Sequence, residues 1–454
     1  MTREIRLNAF FMNCVVHQSP GLWRHPRDRT RDYTNIDYWV DLARTLERGK
    51  FDALFLADVL GVYDVYGGSV DAALSGAVQV PANDPVLLVP ALSYATSHIG
   101  FGVTSILSYD QPYAFARRMS TLDHLSKGRV GWNVVTGYLD SAARAAGRSR
   151  QNGHDLRYEI ADEYMEVVYK LWEGSWEDGA VLRDREAGLF TDPKRVHRIR
   201  HEGRHFTLDG YHLSEPSPQR TPVLFQVGSS PRGRAFAARH AECVFIAGNS
   251  KTEIRKLVDE IRSLAKAAGR PPEAITVFLS AVSVPGWTRS EAENKLDDYR
   301  RYASVEGGLV LQSGWQGLDF ASAPLEAAIG EVRRGSVEAH DRSDRAADRR
   351  TIQELGMATT LGGGAPLFLG SAAEIADEMQ DWVEQADIDG FNLTSVVAPE
   401  SYVDFVDIVA PELQRRGAYK RDYAKGTLRE KLGGAARLAT SHPAARHRVA
   451  EALV

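Results

Sequence analysis

The sequence is poor in cysteine, with only Cys14 and Cys243 among 454 residues. Two thiols cannot build a disulfide framework, so packing must hold the fold together. The sequence also lacks an apolar run of about 18 residues, the minimum for a membrane-spanning helix. Its charged first residues, MTREIRLNAFF, lack the apolar core of a secretory signal. We therefore expect a soluble, cytoplasmic protein.

No strong charge of one sign is present either. The 60 acidic and 55 basic residues give a net charge of −5 and are spread along the chain. Without a basic stripe, neither nucleic acid nor a membrane surface is an expected partner. GxGxxG and CxxC motifs are also missing, so no fused dinucleotide domain and no cysteine zinc site are predicted.

Short apolar segments do occur, and they alternate with amphipathic helical patterns. The segments are apolar on both faces, as parallel strands covered by helices are. Eight strand–helix units favour an α/β fold, the TIM (β/α)8 barrel, over an open sheet. The predicted strands are residues 6–12, 51–57, 99–107, 129–135, 222–227, 243–247, 275–284 and 390–397. The predicted helices are residues 36–48, 85–96, 113–125, 158–173, 232–241, 252–268, 290–302, 372–386 and 402–416.

Three stretches are too long for ordinary connections and are predicted to be insertions: about residues 61–83, 174–221 and 304–369. We expect residues 1–417 to form a single barrel that carries these insertions. Residues 418–454 are predicted to form a C-terminal arm that contacts a second subunit of a homodimer or homotetramer.

The segment RVGWNVVTGY poses a question, because its predicted strand buries Asn133 and ends on the polar residues Thr136, Gly137 and Tyr138. A buried asparagine without partners costs about 1–3 kcal/mol. In (β/α)8 barrels the chemistry lies at the C-terminal ends of the strands. The residues expected at that rim are mostly neutral hydrogen-bonding groups: Asn13, Cys14, Asp58, Thr104, Asn133, Thr136, Gly137, Tyr138, Gly228, Ser229 and Ser230.

One part of this rim, VLFQVGSSPRG, fits a phosphate group. A strand runs into Gly228, Ser229 and Ser230, and Pro231 opens a helix whose free amides favour an anion. The same residues also fit an ordinary serine N-cap followed by proline, so both interpretations stay open. Because Asp58 is the one clear carboxylate at the strand ends, an organic cofactor is favoured over a glycosidase pair.

Two other patterns suggest different chemistry. Cys14 and His17 in NCVVH are the residue types of a nucleophile and its base, but the sequence offers no acid partner. His197, His201 and His205 in HRIRHEGRH have the spacing of metal ligands on a helix. The turn predicted at Glu202-Gly203 instead favours surface histidines of a hairpin, and no resident metal is predicted. A metal-dependent barrel hydrolase remains the alternative from a different class.

Several stretches resemble one family, the bacterial-luciferase-like flavin monooxygenases. They are NAFFMNCVVHQSPGLWRHP, ERGKFDALFLADVLGVYDVY, RRMSTLDHLSKGRVGWNVVT, HDLRYEIADEYMEVVYKLWEGSWED and EPSPQRTPVLFQVGSSPRG. The similarity is to the subgroup of nitrilotriacetate, dibenzothiophene-sulfone, dimethyl-sulfide and long-chain-alkane monooxygenases, and it spans residues 6 to about 448. It implies a TIM barrel that uses O2 and reduced FMN, supplied by a separate NAD(P)H:FMN reductase, to oxygenate a small molecule.

The resemblance also implies roles for individual residues. The flavin-contacting set is Asp58, Thr104, Asn133, Thr136, His154, Tyr158, Gly228, Ser229 and Ser230. The catalytic set is Asn133, Thr104, Tyr138, His17 and Cys14, and the substrate pocket is Cys14, His17, Tyr63, Gln79, Asn83, Tyr138 and Leu311. Asn133 and Thr104 would face the flavin edge at which oxygen reacts, which would explain the buried asparagine.

The expected substrate is small, uncharged and sulfur-containing or apolar. The alkane-enzyme pattern has histidines at the positions of Tyr138 and Leu311, and this chain departs from it at both. EGGLVLQSGWQGLDFA and SHPAARHR look nearer to the dimethyl-sulfide enzymes. Long-chain alkane hydroxylation stays open on the same scaffold, as does a deazaflavin-dependent dehydrogenase.

Overall fold

The computed structural model describes residues 3–228, 230–334 and 349–449. Its strands are β1 (Arg6–Met12), β2 (Ala53–Ala57), β3 (Gly100–Ile106), β4 (Val130–Val135), β5 (Val181–Asp184), β6 (Leu189–Thr191), β7 (Ile199–Glu202), β8 (Thr207–Gly210), β9 (Val223–Val227), β10 (Cys243–Ile246), β11 (Thr276–Pro285), β12 (Leu367–Gly370) and β13 (Gly390–Thr394). Eight of them form a closed parallel barrel in the order β1-β2-β3-β4-β9-β10-β11-β13, with β13 pairing back to β1. The predicted TIM barrel and its eight strands are confirmed.

The helices are α1 (Ile36–Arg48), α2 (Asp71–Gly76), α3 (Val89–Ala95), α4 (Pro112–Leu125), α5 (Asp140–Ala145), α6 (His154–Tyr169), α7 (Pro231–His240), α8 (Lys251–Ala267), α9 (Arg289–Arg300), α10 (Val305–Gln316), α11 (Ile329–Arg334), α12 (Ile352–Thr359), α13 (Ala372–Ala386), α14 (Glu400–Asp404), α15 (Ala410–Arg415) and α16 (Leu428–Lys431). The helix predicted at 85–96 is instead a 3-10 turn, Pro85–Leu88, followed by α3. In the described ranges, no helix is long and apolar enough to cross a membrane.

A ninth strand of the main sheet, β12, was not predicted. β11 is ten residues long, so it pairs with β10 and β13 over its first part and with β12 over residues 282–285. The missed strand has only four residues and lies at the end of a stretch assigned to an insertion. A strand this short shows no clear periodicity in the sequence. It forms here because β11 is long enough to offer β12 a pairing partner.

The stretches predicted as insertions hold elements of their own. Residues 61–83 contain α2, residues 174–221 contain the antiparallel hairpins β5–β6 and β7–β8, and the described part of 304–369 contains α10, α11 and α12. The helix α10 packs against α2 and brings Leu311 and Trp315 next to Tyr63, which follows β2. This contact builds one wall above the C-terminal ends of the strands.

Aromatic rings fill the interior of the barrel and glycines make room for them. Phe55 and Phe225 belong to the cluster inside the barrel. A Cβ atom on Gly102 would lie 2.4 Å from the Phe55 ring, and one on Gly131 equally close to Phe225. Glycine is therefore required on these two strands, and the barrel is a packed core with its open site at the rim.

The described part of the C-terminal segment packs on its own barrel. The Leu428 side chain of α16 joins the interior cluster, and its backbone N–H donates to the Gly128 carbonyl oxygen at 2.7 Å. Arg429 forms a buried ion pair with Glu242. The segment thus closes the end of the barrel opposite the site, while its contact with a second subunit stays a prediction.

Candidate active site

Asn133 lies at the C-terminal end of β4, and its side chain is buried. Its Nδ2 donates to the Thr104 Oγ1 at 2.9 Å, across from it on β3. The Asn133 Oδ1 is buried and has no hydrogen-bond partner among the residues that the structure describes. Part of the question posed by the sequence is answered here: the amide ties β3 to β4 and leaves an acceptor for a further group.

Other buried polar atoms near the ends of β1 and β9 also lack hydrogen-bond partners within the described ranges. They are Asn13 Oδ1, His17 Nδ1, Gln79 Oε1 and Gln226 Oε1. Leaving a buried acceptor unpaired costs about 1–3 kcal/mol, so such atoms are rare in a finished core. Together with Asn133 Oδ1, they are acceptors suited to a polar ligand.

A cavity of 490 Å³ opens at the ends of β2 and β3. Thr104, Asp58, Gln79 and Asn83 line it, so four predicted site residues come together there. Burial, followed by the charge of Asp84, raises the pKa of Asp58 to about 7. The cavity therefore carries a carboxyl group that changes its charge near neutral pH.

Cys14 and His17 follow β1 but do not form a nucleophile–base pair. The Cys14 thiol donates to the Val16 carbonyl oxygen at 3.2 Å, and burial raises its pKa strongly. Burial lowers the pKa of His17 to about 3. A protonated thiol without a base is a poor nucleophile, so this geometry favours a lining role.

The polar lip after β4 contacts one helix and two loops. The Ser108 hydroxyl donates to the carbonyl oxygen of Thr136, and Arg157 of α6 donates to that of Gly137. The Tyr138 hydroxyl is hydrogen-bonded to the hydroxyl of Tyr63. The lip is thus fixed between the loop after β2 and the start of α6.

A second group of predicted residues meets where β9 runs into α7. The Ser230 Oγ caps α7 by accepting from the Gly233 N–H at 3.0 Å, and it lies 3.0 Å from the His154 Nε2. A Cβ atom on Gly233 would lie 2.7 Å from the Tyr158 hydroxyl, so that ring packs closely on the helix start. Arg232 lies over the Tyr158 ring. Free amides and a cation at one helix N-terminus suit a phosphate.

Other predictions at the rim have mixed outcomes. Gly228 follows β9, and a Cβ atom there would meet the Gln226 Oε1 at 3.1 Å. Ser229 lies outside the described residues. Leu311 is fully buried beside Tyr63 and packs with the wall of α10. Its predicted contact with substrate stays a prediction.

The three histidines of HRIRHEGRH lie on and next to the predicted hairpin, β7–β8, which is confirmed. Their predicted surface position is wrong for His201, which is 7% exposed and hydrogen-bonded to Glu163 of α6 at 3.1 Å. His201 is buried because the partly exposed Glu163 carboxylate holds the hairpin on the helix. Among the described residues, no group of three or more His, Cys, Asp or Glu side chains could hold a metal ion.

Sequence reasoning missed three residues of the site. Gln226 points its unpaired Oε1 to the start of α7, and its place in the buried strand LFQV is the same signal that identified Asn133. Arg157 links α6 to the lip. Trp315 donates to Tyr63 from α10. The last two are tertiary contacts, for which the sequence holds no local pattern.

Comparisons with known proteins agree with this architecture. The model of the luciferase-like monooxygenase family matches residues 11–389. The long-chain alkane monooxygenase of Geobacillus thermodenitrificans is 49% identical over 450 residues, which cover 99% of each chain. The dimethyl-sulfide monooxygenase of Hyphomicrobium sulfonivorans is 48% identical over 454 residues, covering 99% of this chain and 94% of that one.

Solved structures give the same result. A crystal structure of long-chain alkane monooxygenase superposes with a TM-score of 0.92 at 49% identity, covering 99% of this chain and 100% of that one. A riboflavin lyase solved with modified FMN and riboflavin has a TM-score of 0.90 at 36% identity, covering 98% and 100%. A barrel with this rim and these relatives is a flavin-dependent monooxygenase. The chain belongs to the luciferase-like monooxygenase family.

Proposed function

We propose that this enzyme takes reduced FMN from a separate NAD(P)H:FMN reductase and uses it with O2 to oxygenate a small, uncharged, sulfur-containing or apolar molecule. The observation that carries the proposal is the Asn133–Thr104 pair at the rim, with its buried unpaired oxygen. A cofactor that places a hydrogen-bond donor at this point would satisfy that oxygen.

The residues present fit FMN at both of its ends. At one end, the start of α7 offers the free amides of its first turn, the Ser230 hydroxyl and the nearby Arg232 for a phosphate. At the other end, Asn133 and Asp58 offer acceptors for a polar ring edge. When bound, reduced FMN supplies the electrons that activate O2, and these residues orient it and hold it away from water.

The partner in this proposal is a reductase that delivers reduced flavin by diffusion. The described residues carry no cofactor domain for NAD(P)H, and the family relatives include nitrilotriacetate monooxygenase component A, a name that denotes one part of a larger system. A homodimer or homotetramer, with residues 418–454 as one contact, remains part of the proposal.

The proposed substrate class follows from the wall around Tyr63. Leu311, Leu139 and Val310 make this wall apolar, and Tyr138 adds one hydroxyl group. Such a wall accepts a small uncharged molecule and offers no charge to an ionic one. Long-chain alkanes are the second candidate, because the alkane and dimethyl-sulfide enzymes are almost equally similar to this chain.

The proposal is tested by flavin binding and by dependence on a reductase. The purified protein should bind reduced FMN more tightly than oxidised FMN, and it should oxidise no NADH alone. Addition of a flavin reductase should start oxygenation of sulfides, sulfones or alkanes in a product screen. Substrate-dependent NADH turnover without a reductase would contradict the proposal.

A further inference from the structure

Trp315 lies beside the two tyrosines of the predicted substrate pocket. Its indole Nε1–H donates to the Tyr63 hydroxyl oxygen at 3.1 Å. The Tyr63 hydroxyl is in turn hydrogen-bonded to that of Tyr138. The three side chains form a chain of hydrogen bonds from α10, through the loop after β2, to the lip after β4.

The chemistry of tryptophan fixes the direction of this chain. An indole N–H donates but cannot accept, so the Tyr63 oxygen accepts from Trp315. Tyr63 is 1% exposed, and its own hydroxyl hydrogen needs an acceptor because an unpaired buried hydroxyl is costly. In the described parts of the chain, the acceptor that lies within reach is the Tyr138 hydroxyl oxygen.

Tyr138 therefore accepts from Tyr63 and keeps its own hydroxyl hydrogen for another group. Tyr138 lies at the rim, and the residue as a whole is 40% exposed. Among the described residues, the hydroxyl hydrogen-bonded to Tyr138 is that of Tyr63, which donates, and no acceptor is hydrogen-bonded to the Tyr138 hydroxyl hydrogen. A tyrosine is protonated at neutral pH, so this hydroxyl is a donor available to a ligand.

Packing keeps Tyr63 in place. A Cβ atom on Gly314 would lie 1.8 Å from the Tyr63 ring, so the helix α10 approaches it as closely as a glycine allows. Leu139 and Leu311 belong to the same cluster. The Tyr63 ring therefore cannot rotate away from Trp315 and Tyr138. The contribution of Trp315 is to determine the direction of the hydrogen bonds between these three side chains.

We propose that Trp315, acting through Tyr63, positions Tyr138 as a hydrogen-bond donor to the substrate. Substrates that carry a lone-pair acceptor, such as the sulfur of a dialkyl sulfide or the oxygens of a sulfone, are then selected over hydrocarbons of the same shape. The inference rests on the proposed function, whose substrate class it narrows. Tyr138 contacts the substrate, and Trp315 is a positioning residue.

The first experiment tests the hydrogen-bond chain in flavin-free protein. With 15N-labelled indoles, the Trp315 resonance is identified by its absence from the Trp315→Phe spectrum. It should shift clearly in Tyr63→Phe, which removes its acceptor. It should stay in place in Tyr109→Phe, a matched control, because Tyr109 packs on the same cluster but its hydroxyl bonds Gln151. An unchanged resonance in Tyr63→Phe would overturn the proposal.

The second experiment compares dipropyl sulfide with heptane, in which a methylene replaces the sulfur. The ratio of their kcat/KM values should fall about ten-fold in Tyr138→Phe, the size one neutral hydrogen bond supports, and about three-fold in Trp315→Phe. In the double variant this ratio should be no lower than in Tyr138→Phe, because both substitutions act through the Tyr138 hydroxyl.

Equal losses of kcat/KM for the two substrates would show that Trp315 only packs against its neighbours. Losses that add in the double variant would show the same. Either result would contradict the proposal. If no substrate is oxygenated by wild-type protein with reduced FMN, the proposed function fails and the substrate selection fails with it. The indole spectra then still decide the hydrogen-bond chain by themselves.

Discussion

Replacing Asn133 by alanine separates a structural from a chemical role for this buried amide. The change removes the hydrogen bond to Thr104, a loss of about 0.5–1.5 kcal/mol, and it also removes the unpaired Oδ1, whose burial costs about 1–3 kcal/mol. These effects oppose each other. We therefore expect the free energy of unfolding of the flavin-free protein to change by no more than about 1 kcal/mol.

The chain offers a matched control in Asn8→Ala. The Asn8 Nδ2 donates to the Asn392 Oδ1 at 2.9 Å, and the buried Asn8 Oδ1, like that of Asn133, has no partner in the described part of the chain. Asn8 lies near the beginning of β1, however, far from the rim. Both variants lose a buried amide group and its hydrogen bond, so their stabilities can be compared. Only Asn133→Ala changes the site.

The assay measures product and hydrogen peroxide per reduced FMN, together with the melting temperature, on one preparation of each variant. If the Asn133 amide stabilises charge at the reacting flavin edge, its loss should cut oxygenation by about 100-fold or more, with the electrons appearing as hydrogen peroxide. FMN binding should weaken by no more than about 1.5 kcal/mol, the value of the one hydrogen bond that the Asn133 Oδ1 can accept. A variant that loses stability but keeps its product yield would refute this reasoning, as would an equal coupling defect in Asn8→Ala.

Three further predictions concern the phosphate end, the cavity and the barrel interior. Ser230→Ala should weaken FMN binding by about 1–3 kcal/mol and riboflavin binding hardly at all. Ser250→Ala, which removes the equivalent cap of α8, should leave the affinity for both ligands unchanged. Equal weakening of FMN and riboflavin binding in Ser230→Ala would show that Ser230 serves only the fold. Asp58 has a pKa of about 7 in the folded protein against 3.8 ordinarily, so the folded state binds its proton more tightly and stability is lost as the pH rises through this window. The free energy of unfolding of Asp58→Asn, measured in urea, should therefore rise relative to wild type between pH 4 and pH 8, and a constant difference would contradict the burial of this carboxyl group. Gly131→Ala should destabilise the protein by about 1–3 kcal/mol through overpacking against Phe225, whereas Gly210→Ala, where a Cβ atom meets nothing within 4 Å, should cost less. A melting temperature equal to wild type for Gly131→Ala would be inconsistent with the packed interior.

The barrel could be predicted because its signals are local and repeated. Each strand is a short apolar run and each covering helix has its own periodicity, so α1 and β1 were predicted with their observed bounds. β12 could not be, because its pairing depends on the extra length of β11. The hairpin β7–β8 was predicted from its turn, but the burial of His201 depends on a distant carboxylate.

At the site, the sequence predicted which polar residues lie at strand ends, since their position along each strand determines this. Thr104 and Asn133 do meet across β3 and β4. The sequence could not predict that Trp315 reaches Tyr63, because α10 lies more than 200 residues away along the chain and only tertiary packing joins them. Nor could it predict that the Cys14 thiol points to Val16 and away from His17.

The most direct test of the central claim is the source of the oxygen atom in the product. Wild-type protein receives chemically reduced FMN under 18O2, without any reductase, and the product of the best substrate from the screen is analysed by mass spectrometry. The account predicts one atom of 18O per product molecule and none from labelled water. Product that carries oxygen from water, or product formed equally well without reduced FMN, would contradict it.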